Sequence, residues 1–375
     1  VGHRPSHPSR RRFLAGAAGI VGVGALARVG WGRPTEPSVG PPLPPGVRSQ
    51  VDAAAARMLQ QYNAPSATIA ICRNGRATYV QGYGKATLPD GPAPDGDTIY
   101  AIGSLSKAVT AVAAMQLVEK GAVKLNAPAS KYIPSLPAAW RPVTVRQFMC
   151  HTSGIPDVPR KEKAAAGKID GVYKAMADVP MSFPPGSKYV YNNFNFDLIG
   201  NLIERVSGQP YLDYMRAHVF APTGMSRTGA GPIDPSGNTA AGYEGGPNGI
   251  RAVKAEVLPI GTPSGGLAST AVDLLKLGRA LNGHQLLGPD TLKEMVTPYG
   301  HFISTPGWFA RQTPKDGTVA FKDGATGGYM SFMIIVPAEG HVAVVLRNLQ
   351  MLKTPVAPLC NQMLHIACGV GMPGA

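Results

Sequence analysis

Cysteine is scarce in this chain of 375 residues: it occurs only at Cys72, Cys150, Cys360 and Cys368. None of the four sits at metal-binding spacing, and so few cannot build a disulfide scaffold. Cys360 and Cys368 lie eight apart on an expected helix, too far to bridge each other within it; whether another pair is bridged stays open. Acidic residues are also few, 22 against 36 Lys and Arg, which leaves a net charge of +14. A basic chain suits an anionic cell envelope or nucleic acid. Beyond the N-terminal stretch there is no run of Lys and Arg and no nucleic-acid motif, so nucleic acid is not an expected partner. There is no Gly-x-y period and no solenoid repeat. The apolar stretch 13–26 is too short to span a bilayer comfortably, so membrane contact is expected only during export.

What is present begins with an address. Ser9-Arg10-Arg11-Arg12-Phe13-Leu14 fits a twin-arginine export signal, and Ala25-Leu26-Ala27 offers an A-x-A cleavage site. No cysteine stands nearby, which argues against a lipid anchor. The expectation is a bacterial chain exported already folded, to the periplasm or beyond, with residues 1–27 removed. Removal takes four arginines and no acid, lowering the net charge to +10. Residues 28–46 are rich in Pro and Gly and read as a linker.

Residues 47–375 read as one α/β (α+β) domain of two lobes. A helix is expected over 47–61, then strands 66–72 and 76–82 joined across Asn74-Gly75, a strong hairpin signal. Helices follow over 108–118, 143–150, 194–206, 211–219, 270–281 and 289–296, with a Gly/Pro-rich excursion at 229–266. Strands return over 308–312, 318–322, 329–336 and 341–346, before a last helix over 355–368. Strands at both ends with helices between imply an antiparallel sheet from about 47–103 and 300–375, flanked by the terminal helices. A helical lobe, about 104–299, is inserted between them. Ligand sites favour such a seam.

Three short patterns carry chemistry. Gly103-Ser104-Leu105-Ser106-Lys107 follows an extended segment and opens the buried helix, so Ser104 stands at its N-terminus with Lys107 on the same face. A hydroxyl within reach of an amine is the minimum for an activated nucleophile, and the helix N-terminus favours developing negative charge there. Tyr191-Asn192-Asn193 precedes another helix, which Asn193 would otherwise merely cap. Lys322-Asp323-Gly324 ends a strand and leads into Ala325-Thr326-Gly327-Gly328, where small residues let backbone approach a ligand. The nearby Lys315-Asp316-Gly317 reads as a hairpin turn.

In this order, the three patterns resemble the Ser-x-x-Lys, Tyr-x-Asn and Lys-Thr-Gly motifs of the penicillin-recognising serine hydrolases. That family includes class C β-lactamases, D-alanyl-D-alanine carboxypeptidases, D-aminopeptidases and related esterases. The resemblance runs from about Val47 to the end and takes in His151-Thr152-Ser153-Gly154, Pro222-Thr223-Gly224-Met225 and Ser264-Gly265-Gly266-Leu267-Ala268-Ser269-Thr270. It implies a β-lactamase-like, transpeptidase-like fold and hydrolysis through an acyl-Ser104 intermediate, with no metal and no cofactor. It implies a shared Lys107–Tyr191 acid–base system and an Asn193 that holds Lys107 and meets the acyl side of the substrate. Lys322, Asp323, Gly324 and Ala325 would bind substrate, and the backbone N–H groups of Ser104 and Ala325 would form the oxyanion hole. His151 belongs to a structural turn. The third motif departs from the family, because Asp323 stands where Thr usually helps to bind a substrate carboxylate. An Asp facing the cleft repels that carboxylate and shifts the expected substrate from β-lactam or peptide toward a neutral ester or amide, or one with a free amine. Carboxylesterase or D-aminopeptidase-type activity is therefore the alternative. A non-catalytic envelope protein on the same fold, binding peptidoglycan, is the rival of another class.

Overall fold

The computed structural model describes residues 39–231, 237–246, 249–253, 261–351 and 356–370. The expected export signal and the first part of the expected linker lie outside the described residues. The helices are α1 (Pro45–Tyr62), α2 (Leu105–Glu119), α3 (Val145–Met149), α4 (Arg160–Ala166), α5 (Ile169–Ala175), α6 (Phe194–Ser207), α7 (Tyr211–Met215), α8 (Ala221–Thr223), α9 (Thr262–Gly265), α10 (Ala271–Asn282), α11 (Pro289–Met295) and α12 (Ala357–Cys368). The strands are β1 (Ser66–Arg73), β2 (Arg76–Gly84), β3 (Tyr100–Ala101), β4 (Gly229–Ala230), β5 (Gly242–Gly246), β6 (Gly249–Val253), β7 (Leu267–Ser269), β8 (Phe309–Thr313), β9 (Gly317–Thr326), β10 (Tyr329–Val336), β11 (His341–Arg347) and β12 (Leu349–Gln350).

An antiparallel sheet ordered β2-β1-β11-β10-β9-β8 joins the two ends of the chain, with Ala67 of β1 opposite Arg347 of β11. Asn74 and Gly75 both take positive φ, 50° and 73°, as a tight hairpin turn needs, and so fix the β1–β2 register. β10 and β11 are buried along their whole length. Along β10, Met333 and Ile335 face the core shared with α2 and α10, while Phe332, Ile334 and Val336 face the one shared with α1 and α12. Burial on both faces explains why these strands read as continuous apolar runs without alternation. α2 is buried from Leu105 to Leu117, the mark of a helix with no solvent face. It holds the centre of the molecule.

Several boundaries differ from expectation. α1 begins at Pro45, since proline at the first helical position costs no hydrogen bond. The end of the expected linker is docked: Val39 bridges Ala77, and Gly40 N–H donates to the Ala77 carbonyl at 2.9 Å. Two small sheets, β3-β7-β4 and β12-β5-β6, join strands from the 104–299 stretch to strands outside it, the second built partly from the Gly/Pro-rich excursion. Strands of two to five residues are too short, and here too glycine-rich, to show a period. β9 does not stop at the Lys322-Asp323-Gly324 motif but runs through it to Thr326, and the chain turns at Gly327-Gly328. All four cysteines are free thiols.

Candidate active site

Ser104 stands at the N-terminus of α2, one residue ahead of its first turn. Lys107, fully buried, reaches back along the helix so that Nζ lies 3.2 Å from Ser104 Oγ. Nζ also donates to Asn193 Oδ1 at 2.8 Å and to the Ser264 carbonyl at 2.5 Å. Asn193 is the residue before α6, yet its side chain makes no cap; it is spent on Lys107. The α6 N-terminus is served instead by Asp157, whose Oδ1 accepts from Phe194 N–H at 3.1 Å.

Tyr191 comes to the same hydroxyl from the other side, donating to Ser104 Oγ at 2.6 Å. Its position is built on the 151–154 turn. His151 takes φ 58°, its carbonyl accepts from Val190 N–H at 3.0 Å, and its Nδ1 accepts from Asn192 N–H at 3.2 Å. The imidazole lies under the Tyr191 ring, centroids 4.5 Å apart. His151 thus supports the phenol and does not touch Ser104 by any hydrogen bond in the structure.

β9 closes the third side. Lys322, buried, places Nζ 5.2 Å from the Tyr191 ring centroid and 4.6 Å from that of Phe309. Asp323 Oδ1 is 3.3 Å from Lys322 Nζ, on a side chain that is 62% exposed. The carboxylate therefore rests on the Lys322 ammonium, but Asp323 is not among the residues that line the cleft around Ser104. Gly324 is buried and serves fit: a Cβ there would stand 2.0 Å from the Ile102 carbonyl oxygen and 2.8 Å from Leu105 N. Only glycine lets β9 run this close to the start of α2. Gly103 meets Ala325 in the same way, with φ 52° and a would-be Cβ 2.7 Å from Ala325 N. Ser104 and Ala325 consequently line one cleft of about 310 Å³ together with Asp157, Lys163, Asn193, Ser264 and Thr326. Two donors at such a cleft, one at a helix N-terminus, can hold an oxyanion.

Burial, and then the Lys322 charge, hold Lys107 well below the usual lysine range. Burial lowers Lys322 as well, opposed by Asp323. Burial, then Lys107 and Lys322, keep His151 well below its ordinary value, so it is a neutral ring. Burial pushes Tyr191 up despite its bond to Ser104, and Asp323 adds to the rise, so its phenol keeps its proton at neutral pH.

The sequence motifs do not point to the Ser264 carbonyl, since a backbone acceptor leaves no side-chain signature. They also miss Lys163 and Asp197, a buried ion pair behind Asn193 whose residue types are common on helices. Among the described residues, no group of three or more His, Cys, Asp or Glu is placed to hold a metal.

Residues 51–356 match the Beta-lactamase family. Protein flp of Staphylococcus aureus (strain MW2) is 28% identical over 327 residues, 82% of this chain and 64% of that protein. The chain thus spans less than two thirds of that relative's length. Penicillin-binding protein 4 of Amycolatopsis lactamdurans is 27% identical over 348 residues, 84% of this chain and 88% of that one. Among solved structures, a class C beta-lactamase superposes with a TM-score of 0.76 at 21% identity, over 85% of this chain and 96% of the other. The octameric penicillin-binding protein homologue from Pyrococcus abyssi gives 0.73 at 24%, over 85% and 76%. At these identities the superpositions speak for the fold alone. With the family match covering most of the chain and the fold agreeing, this protein belongs to the beta-lactamase family of serine hydrolases.

Proposed function

We propose that the protein hydrolyses an ester or amide by acyl transfer through Ser104. The observation that carries this reading is the double approach to one hydroxyl: Lys107 Nζ at 3.2 Å and Tyr191 OH at 2.6 Å from Ser104 Oγ. Lys107, whose charged form burial and Lys322 disfavour, takes the Ser104 proton as Oγ adds to the substrate carbonyl. The resulting oxyanion is held by the N–H groups of Ser104 and Ala325, about 3 kcal/mol for each donor. The carbon–heteroatom bond breaks, and the leaving group departs with the proton that Lys107 gained, passed on through the Tyr191 phenol. Water then adds to the acyl ester, giving its proton to Lys107, and the acyl carbon–Oγ bond breaks as Lys107 returns that proton to Ser104 Oγ. Lys107 and Tyr191 act as a coupled pair, with Lys107 as acceptor and Tyr191 as donor.

The Asp323 carboxylate on Lys322 favours carboxylesterase or D-aminopeptidase-type turnover over β-lactam or acyl-D-Ala-D-Ala turnover. A substrate carboxylate would have to displace it. Labelling with a fluorescent fluorophosphonate tests the reading: the wild type labels and the Ser104→Ala variant does not. Absence of labelling would instead support a non-catalytic envelope protein that binds peptidoglycan. Turnover of nitrocefin orders of magnitude faster than a p-nitrophenyl ester would refute the role given to Asp323. Ser9–Leu14 supports export through the twin-arginine route to the periplasm or beyond. An Arg10→Lys/Arg11→Lys variant retained in the cytoplasm would agree with that, and unchanged export would not.

A further inference from the structure

Lys163 on α4 and Asp197 on α6 lie outside the three motifs. Lys163 Nζ donates to Asp197 Oδ2 at 2.5 Å, with side chains only 7% and 0% exposed. The other carboxylate oxygen, Oδ1, is buried and has no hydrogen-bond partner. Burial raises the Asp197 acid to about 6, opposed by Lys163, the Ser264 side chain and Lys107. Burying two charges is costly, and a well-packed apolar pair would serve stability as well or better. A reason for keeping the pair lies in its neighbours. Asp197 follows Asn193 by four residues, on the same face of α6, and Asn193 Oδ1 anchors Lys107. Lys163 lines the cleft that Ser104 and Asn193 line.

We propose that the Lys163–Asp197 pair is a positioning device for Lys107: it pins α4 to α6 behind the Asn193 amide and keeps opposite charges balanced beside the amine that serves Ser104. This rests on Lys107 being the base. The groups that face Lys107 are the Ser104 and Tyr191 hydroxyls, the Asn193 amide and the Ser264 carbonyl, with Lys322, Asp197, Lys163 and Asp157 acting through their charge. Lys322 and Lys163 disfavour a charged Lys107, while Asp197 and Asp157 favour it. His151 lies behind Tyr191 as a neutral ring. Removing one member of the pair therefore unbalances Lys107 in a known direction. Asp197→Asn leaves the Lys163 cation alone and favours the free amine. Lys163→Met removes a cation that disfavours the ammonium, and so favours it over the pH range in which Asp197, whose acid burial raises, stays ionised.

The test is the pH dependence of Ser104 labelling by a fluorophosphonate, measured on the full chain with circular dichroism as the check on folding. The acid limb of the labelling rate should move to lower pH in Asp197→Asn and to higher pH in Lys163→Met. Lys163→Arg, which keeps the charge, should follow the wild type, and Lys163→Met/Asp197→Asn should fall between the two single variants. A purely structural pair would slow labelling in both single variants without opposite displacement. That result, or two folded single variants whose limbs coincide with the wild type, overturns the proposal while leaving Ser104 acylation standing. A wild type that does not label overturns both. Should Lys163→Met fail to fold, the direction of the shift in Asp197→Asn decides alone.

Discussion

Replacing Asp323 by Thr should turn the cleft toward carboxylate-bearing substrates. Asp323 Oδ1 lies 3.3 Å from Lys322 Nζ, so a substrate carboxylate on the same ammonium would come within roughly 4–6 Å of it. Two like charges about 4 Å apart repel by about 1 kcal/mol in water and about 4 kcal/mol at the effective dielectric of a protein surface. The Asp323 side chain is 62% exposed, which favours the low end. A repulsion of about 1–2 kcal/mol corresponds to roughly 5- to 30-fold in kcat/KM. The assay is the ratio of kcat/KM for nitrocefin, which carries a carboxylate, to that for p-nitrophenyl acetate, which does not. Asp323→Thr should raise this ratio by roughly 5- to 30-fold, and Asp323→Asn should raise it too. The wild-type penalty should shrink as salt is added, because exposed charges are screened over about 10 Å at 0.1 M ionic strength. A ratio that stays put or falls in both variants would refute the reasoning, whatever the absolute rates.

Lys322→Met removes a cation that disfavours protonation of Lys107, so Lys107 holds its proton to higher pH. The acid limb of Ser104 labelling should then move to higher pH, as read from a rate–pH profile. Gly103→Ala places a Cβ at a positive φ, 2.7 Å from Ala325 N, where neither backbone can yield. It should cost about 1–3 kcal/mol of stability and most of the labelling, checked by thermal melting and fluorophosphonate together. Asn348, fully buried, accepts from Ser66 N–H at 2.8 Å and donates to the carbonyls of Ala86 at 3.1 Å and Ala241 at 2.9 Å. Asn348→Ala leaves the Ser66 N–H and the Ala241 carbonyl unpaired, while the Ala86 carbonyl keeps the Ala241 N–H at 2.8 Å, and should destabilise by about 2–5 kcal/mol in urea titration, with the folded fraction labelling at the wild-type rate.

The sheet and its two terminal helices were open to reading because their signals are local. Asn74-Gly75 dictates its own turn, and the 108–118 stretch is almost wholly apolar. Other features depend on what lies across space. Lys322-Asp323-Gly324 reads as the end of a strand, yet β9 runs on to Thr326, and Gly324 is demanded by the Ile102 carbonyl 2.0 Å from its would-be Cβ. Asn193 precedes a helix and reads equally as a cap; only the tertiary placement of Lys107 and Asp157 decides that its oxygen goes elsewhere. Lys163 and Asp197 carry no spacing signal, being 34 residues apart on different helices. The short strands β3, β4 and β7 exist by pairing with one another, and none has the length to announce itself.

The hydrogen bonds around Lys107 fit one protonation state better than the other. Of the three lysines near the cleft, Lys163 has Asp197 at 2.5 Å and Lys322 has Asp323 at 3.3 Å, while the contacts of Lys107 Nζ are all to uncharged groups. An ammonium there would be a buried charge with no acid to pair it, a costly arrangement next to a second cation. A neutral amine has two N–H groups and one lone pair. The Asn193 oxygen at 2.8 Å and the Ser264 carbonyl at 2.5 Å take the two N–H groups. The lone pair is then left for the remaining neighbour, the Ser104 hydroxyl at 3.2 Å, which donates to it. Ser104 Oγ in turn keeps a lone pair for the Tyr191 phenol at 2.6 Å, which burial and Asp323 keep protonated. Each donor meets an acceptor only if the proton order runs from Tyr191 to Ser104 to Lys107, which is the direction in which a nucleophilic serine must be relieved of its proton.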